Sequence, residues 1–322
     1  MRVGAISYPA IIQGFENEYK LAASNTRNKH ASPFKFLSSL AMIMFLASTP
    51  ISVHVGIFSW TSVLIIDFDA DGRGTSRTLL RPRTAGDVFV ILFCLWWLLL
   101  AVFSAFPQID LAVARMFFQQ QQCTTLAATP KICGYFPYGD DPYLRALREA
   151  LFLLPYVVAG AICWILFNCL QHHGATYKAA TARNLKVALG SLIVGPIVLV
   201  NFGLKTFSGR PRPRQTDLFG GMLDFVHAGS FAGKCVTNCS FISGEAASAG
   251  WLFCLIFIIP QPARSALALP IVAVSILTPA LRVAFGGHYL SDAVLGWLSS
   301  LVVCAGLFAL SQTTHSEKIS KV

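Results

Sequence analysis

Charge is scarce in this chain. Only 12% of its 322 residues are Asp, Glu, Lys or Arg, while 55% are hydrophobic. A soluble domain carries about 25% charged residues, so roughly half of a water-facing surface is missing. A mean hydropathy of +0.60 agrees. Acid is scarcer than base, with 15 Asp and Glu against 25 Lys and Arg, giving a net charge of +10. A basic balance alone would suit a nucleic-acid binder. Helix-turn-helix patterns, zinc-finger spacings and RNA-binding aromatic platforms are all lacking, so no nucleic acid is expected as a partner. No CxxC with matching His or Cys partners points to a metal site. Internal repeats are absent, and low complexity is confined to the four glutamines at 119–122. The first apolar run begins too far from the N-terminus to read as a cleaved signal peptide.

What the chain has instead is long apolar runs. A helix needs about 20 residues to cross the hydrocarbon core. Segments near 87–106, 148–170, 186–204, 241–260, 265–281 and 290–310 meet that requirement. Pro155, Pro196 and Pro279 lie within them, as membrane helices tolerate. Between the first two runs, FPQIDLAVARMFF reads as a short helix on the membrane surface. These segments predict an all-α membrane protein with a six-span domain at 86–312 and a cytoplasmic tail at 313–322. Residues 1–85 form an N-terminal extension. Its apolar stretch 36–66 is broken by Pro50 and His54, and is a seventh span, a re-entrant hairpin or an appended segment.

The nine cysteines divide into two groups. Cys94, Cys163, Cys169, Cys254 and Cys304 lie in apolar runs, where cysteine behaves as a small hydrophobe. Cys123, Cys133, Cys235 and Cys239 lie in polar loops and are candidates for two disulfides, with four free thiols as the alternative. Lys and Arg divide evenly between the two sides of the membrane, so the positive-inside rule does not set the orientation. The cysteines do: one topology places all four loop cysteines outside, in an oxidising compartment.

Three polar clusters occupy the outer ends of the third to sixth spans. KTFSGRPRP carries Lys205 and Arg212. Lysine supplies a point charge and arginine a fork that matches phosphate oxygens. Alone it is no more than a basic anchor. SFISGEAASAG places Ser243, Gly244 and Glu245 where a helix begins, and free amides there attract anions. Ser243 equally fits an ordinary N-cap. LRVAFGGHYLSDAVLG carries Arg282, His288 and Asp292. His288 and Asp292 are four residues apart and share a helix face. A carboxylate can fix the tautomer of an imidazole and leave its other nitrogen as a nucleophile.

Taken in order, Lys205 with Arg212-Pro213, then Ser243-Gly244, then Arg282, His288 and Asp292 resemble the three motifs of the type 2 phosphatidate phosphatase superfamily. That superfamily includes bacterial acid phosphatases and vanadium haloperoxidases. The resemblance spans about residues 87–310 and implies a six-helix transmembrane bundle. It implies that His288 attacks phosphorus to form a phosphohistidine while Asp292 orients its ring. Lys205, Arg212, Arg282, Ser243 and the Gly244 amide would hold the phosphoryl oxygens. Neither metal nor cofactor is expected.

Two positions depart from the family pattern. Leu281 replaces a serine, and Glu245 replaces a histidine that protonates the leaving group. Either the chain is an inactive relative or Glu245 acts as the acid. The CVTNCSFISGEAA and FPQIDLAV stretches resemble bacterial lipid A phosphatases acting at the 4′ position. The expected function is therefore hydrolysis of a membrane lipid phosphate at the periplasmic face of a bacterial inner membrane, with no protein partner. Undecaprenyl diphosphate, phosphatidylglycerol phosphate and phosphatidate are alternative substrates. A non-catalytic protein that binds or moves an anionic lipid is the alternative of another class.

Overall fold

The structure, a computed structural model, describes residues 64–68, 74–78, 84–123, 132–171 and 179–320, with side chains placed at 84–123, 132–171 and 179–312. Most of the extension at 1–85, including nearly all of the 36–66 stretch, lies outside the described residues. Two strands come before the helices, β1 (Leu64–Phe68) and β2 (Gly74–Thr78). They pair antiparallel, with Leu64 opposite Thr78.

Helix α1 (Ala85–Ala105) starts at a capping box: Asp87 N–H donates to Thr84 Oγ1 (3.2 Å), and Thr84 N–H donates to Asp87 Oδ2 (2.9 Å). Only Phe103 of this helix is buried, and Phe93, Trp97 and Leu98 stand exposed on it, as a lipid-facing helix requires. Helix α2 (Gln108–Phe117) is the short helix expected from FPQIDLAVARMFF. Its buried residues are Asp110, Val113, Ala114 and Phe117, the stripe that a 3.6-residue period puts on one face. Strands β3 (Gln119–Gln121) and β4 (Cys133–Tyr135) follow, paired antiparallel.

Asp141 Oδ1 accepts from the Tyr143 and Leu144 amides at 2.9 Å and opens α3 (Pro142–Gln171). Helix α4 (Ala179–Leu192) widens into π turns over Ile193–Leu204 and closes with Lys205–Phe207. Pro196 lies in the widened stretch and has no N–H for the regular ladder, which accounts for the change of pitch. After a long loop come α5 (Gly244–Cys254), α6 (Gln261–Ala284) and α7 (Leu290–Ser320). Helix α7 carries the chain through most of the segment expected as a separate tail.

Among the described residues, five helices are long and apolar enough to cross a membrane, and α5 is the short apolar one. The fourth span, expected at 241–260, is eleven helical residues plus a three-residue 3-10 turn. That is about 22 Å, short of a 30 Å core. Helix α5 can be short because most of it is buried against α4, α6 and α7. Its backbone carbonyls collect hydrogen bonds from their side chains: Ser300 Oγ donates to Ala247 O (2.6 Å) and Ser275 Oγ to Ala249 O (2.9 Å). In return, Trp251 Nε1 donates to Ala188 O (2.8 Å). Small residues and polar contacts of this kind hold helices together where lipid is as apolar as the side chains.

Gly250 has no room for a side chain, because its Cβ would overlap the Trp297 backbone on α7. Gly160 on α3 would carry one with nothing within 4 Å. Gly250→Val should therefore cost about 1–3 kcal/mol and lower the thermal midpoint in detergent, while Gly160→Val leaves it in place. Equal midpoints for the two variants would contradict the α5–α7 packing.

Candidate active site

One end of the bundle carries a cavity of about 260 Å³. Lys205 reaches it from the end of α4, Arg212 from the following loop, Gly244 and Glu245 from the start of α5, Arg282 from the end of α6, and His288 from the α6–α7 turn. The three clusters thus meet in one site. Gly287 lets that turn close over Arg282, since a Cβ there would come within 2.8 Å of Arg282 Nη2. Ser243 is fully buried, and its hydroxyl oxygen accepts from Ala246 N–H (3.3 Å), so it is the N-cap of α5.

His288 is 2% exposed, and its Nδ1 lies 2.8 Å from the Ser240 carbonyl oxygen. A carbonyl only accepts, so Nδ1 carries the proton and Nε2 keeps its lone pair. Burial, with Arg282, Arg212 and Lys205 nearby, holds the ring's pKa well below its ordinary 6.5. Arg212 is itself lowered by burial and by Arg214. A neutral imidazole among crowded cations leaves room for an anion.

Asp292 approaches His288 as its spacing suggested but does not hydrogen-bond to it; its Oδ2 stands 3.9 Å from Nδ1. The carboxylate instead turns back on its own helix start, accepting from Tyr289 N–H (3.0 Å) and from Ser240 Oγ (2.5 Å). It therefore reaches the imidazole through residue 240, whose backbone carbonyl holds the ring.

Behind Asp292 lies an ion set that sequence reasoning missed. Arg210, in the same KTFSGRPRP stretch as Lys205 and Arg212, is fully buried and commits its donors to protein. Nη1 donates to Asp292 Oδ1 (2.5 Å) and Ser291 Oγ (2.8 Å), Nη2 to Asp110 Oδ2 (2.7 Å), and Nε to Val226 O (2.8 Å). Its guanidinium stacks 4.4 Å from the Tyr289 ring centre. Asp110 also accepts from the Ser291 amide (2.8 Å) and hydroxyl (2.6 Å). A signal for Asp110 existed: it is the one acid on the apolar stripe of α2.

Two further site residues lie outside the motifs. Asn238, in the left-handed region at φ 52°, accepts from Arg212 at its backbone oxygen (Nε, 2.9 Å) and its Oδ1 (Nη2, 2.6 Å). The Cys235–Cys239 disulfide closes the loop that presents it, and Cys123–Cys133 forms the second disulfide. The apolar-run cysteines Cys94, Cys163, Cys169, Cys254 and Cys304 are free. Arg148 of α3 pairs side-on with Glu245, Nε to Oε2 at 2.9 Å and Nη2 to Oε1. Glu245 Oε1 also lies 3.3 Å from Arg282 Nε. Both oxygens of the expected proton donor thus face guanidinium groups.

The model of the PAP2 superfamily matches residues 184–316, which hold all three clusters. A lipid A 4′-phosphatase of Rhizobium etli is 57% identical over 250 residues, covering 78% of this chain and 97% of that protein. The chain belongs to the PAP2 superfamily. A lipid A 4′-phosphatase of Rhizobium leguminosarum is also 57% identical, over 72% of this chain and all (100%) of that protein. One from Francisella tularensis subsp. novicida is 27% identical over 64% of this chain and 85% of that protein. The crystal structure of a transmembrane PAP2 type phosphatidylglycerolphosphate phosphatase from Bacillus subtilis covers 71% of this chain and 96% of its own, at 17% identity and a TM-score of 0.41. This PAP2 protein is a multi-pass membrane protein.

The setting of His288 fixes a pH dependence. The folded chain keeps the ring neutral, while an unfolded chain protonates it near 6.5. Below that pH the unfolded state binds the extra proton, so stability falls as pH drops through and below 6.5. Imidazole NMR in detergent should show His288 still neutral at pH 6.5. A resonance titrating at or above that value would contradict the cationic, buried setting.

Proposed function

We propose that this membrane phosphatase removes the 4′ phosphate of lipid A at the periplasmic face of a bacterial inner membrane, through a phosphohistidine on His288. The observation that carries the reading is the pairing of an unprotonated His288 Nε2 with Lys205, Arg212 and Arg282 around one cavity. The 57% identical relatives, named lipid A 4′-phosphatases, support the choice of substrate. The two disulfides support an oxidising compartment on the side of the site, because Cys239 lies between Asn238 and Ser240.

In this reading Nε2 attacks phosphorus, and the bond to the sugar oxygen breaks in line with it. Lys205, Arg212 and Arg282, with the amides at the start of α5, hold the three peripheral oxygens as charge redistributes. Asp292 and Ser240 keep the ring from turning. Water then hydrolyses the phosphohistidine. These cations supply the charge neutralisation that a divalent ion supplies elsewhere, so turnover is expected to survive chelator.

The deciding experiment offers purified protein in detergent lipid A, undecaprenyl diphosphate and phosphatidate, with phosphate release and product mass as readouts. Lipid A should be the best substrate and lose its 4′ phosphate, and His288→Ala should abolish turnover. Faster release from either competitor would overturn the lipid A assignment. Arg212→Lys and Arg282→Lys keep charge and lose the fork, so each should slow turnover by about 10²-fold or more. Wild-type rates in both would remove the cradle.

The loop disulfide gives a second check. Without the Cys235–Cys239 bond, Asn238 and Ser240 lose the closure that aims them at Arg212 and His288. Cys235→Ser with Cys239→Ser should lower kcat well below wild type, while the thermal midpoint moves little. Unchanged turnover would show that the loop holds its shape unaided.

A further inference from the structure

We infer that Arg148, from outside the three motifs, is a catalytic residue that binds the oxygen leaving phosphorus, with Glu245 as its tether; this rests on the phosphatase reading above. An arginine on a lipid-flanked helix ordinarily runs its stem along the apolar surface and puts its head into interfacial water. Arg148 turns inward instead. Its side chain is 27% exposed, against 12% for Glu245, and both line the cavity that holds His288. Glu245 engages the edge of the guanidinium formed by Nε and Nη2, and the edge carrying Nη1 takes no part in that pair.

Charge on the cavity wall points to the same role. Lys205, Arg212, Arg282 and Arg148 face one carboxylate, Glu245. Three positive charges remain, one more than a phosphate monoester dianion neutralises. The total charge does not change in the step, since the attacking ring becomes cationic as the oxygen becomes anionic, so the third cation is available to the departing oxygen. Glu245 is badly placed to hold a phosphoryl oxygen, since anion would face anion. It is well placed to align Arg148 and Arg282 side by side.

Arg148 also stands beside an apolar part of the cavity wall. It shares the α3 wall with Phe152 and Tyr156, which line the same cavity and are 39% and 55% exposed. Those apolar side chains suit the lipid body of a substrate, and the leaving oxygen lies between that body and phosphorus.

The step balances without a protein acid. As the nitrogen–phosphorus bond forms, the phosphorus–oxygen bond breaks and its electron pair stays on the sugar oxygen. Arg148 holds that alkoxide through charge-assisted hydrogen bonds and keeps its own proton. Water protonates the alkoxide, and the hydroxide so formed attacks the phosphohistidine. That returns neutral His288 and inorganic phosphate.

The test is single-turnover phosphoenzyme formation with an alkyl substrate, lipid A, and an aryl substrate, 4-nitrophenyl phosphate, whose leaving oxygen needs little help. Arg148→Gln should slow the alkyl substrate by about 10²-fold, the effect of removing one such donor. It should slow the aryl substrate by less than about tenfold, and Arg148→Lys should recover part of the alkyl rate. The ratio of the two rates does not depend on the fraction of folded protein, so partial misfolding cannot imitate this result. An unchanged ratio in Arg148→Gln overturns the role assigned to Arg148 alone. If wild-type protein forms no phosphoenzyme, the reading of the site fails and the role goes with it.

Discussion

The interaction on which the site depends is hidden from the substrate. Arg210 is buried between Asp110 and Asp292, with no exposed surface on any of the three. Breaking such a set by removing one partner typically costs about 3–5 kcal/mol, because a charge is left buried and uncompensated. Its geometry is therefore stiff. Asp292 fixes the start of α7, holds Ser240, and through that residue's carbonyl fixes the tautomer of His288. Ser240 N–H donates to Arg210 O (2.7 Å), so the loop is tied to the same arginine. The ring that meets the phosphate is aimed by charges that never touch it.

Much of this was legible in the sequence. The apolar runs located six of the seven helices, with α5 shorter than its run, because hydropathy over 20 residues is the constraint a membrane imposes. The order and spacing of the three clusters located Lys205, Arg212, Arg282 and His288, whose chemistry is written in their residue types. What was not legible depends on distance in space. Asp110 is 100 residues from Arg210, and Arg148 is 97 from Glu245. Spacing also told only part of the story at Asp292, which comes within 3.9 Å of His288 without a hydrogen bond, since the helix begins at Leu290, after the histidine. The carboxylate instead accepted from the Tyr289 amide at its own helix start, a nearer and stronger demand.

Residues matching the superfamily model begin at 184, whereas Asp110 and Arg148 come from α2 and α3, before that stretch. The half of the bundle that the superfamily model matches is thus electrostatically incomplete. Arg210 needs an acid from α2, and Glu245 is engaged by a base from α3. These two helices are parts of the site, and a different pair could not be exchanged for them without rebalancing buried charge.

The loop closed by Cys235 and Cys239 also bears on the order in which the protein matures. Helices α1 to α7 can insert and pack with every thiol reduced, since their cysteines are free. The loop that aims Asn238 and Ser240 is covalently closed only once its two thiols have met an oxidant. Insertion into the bilayer and completion of the site are then separate events, with the second governed by the chemistry of the compartment the loop enters. A chain whose loop thiols stay reduced would carry every helix of the bundle with this loop still unclosed.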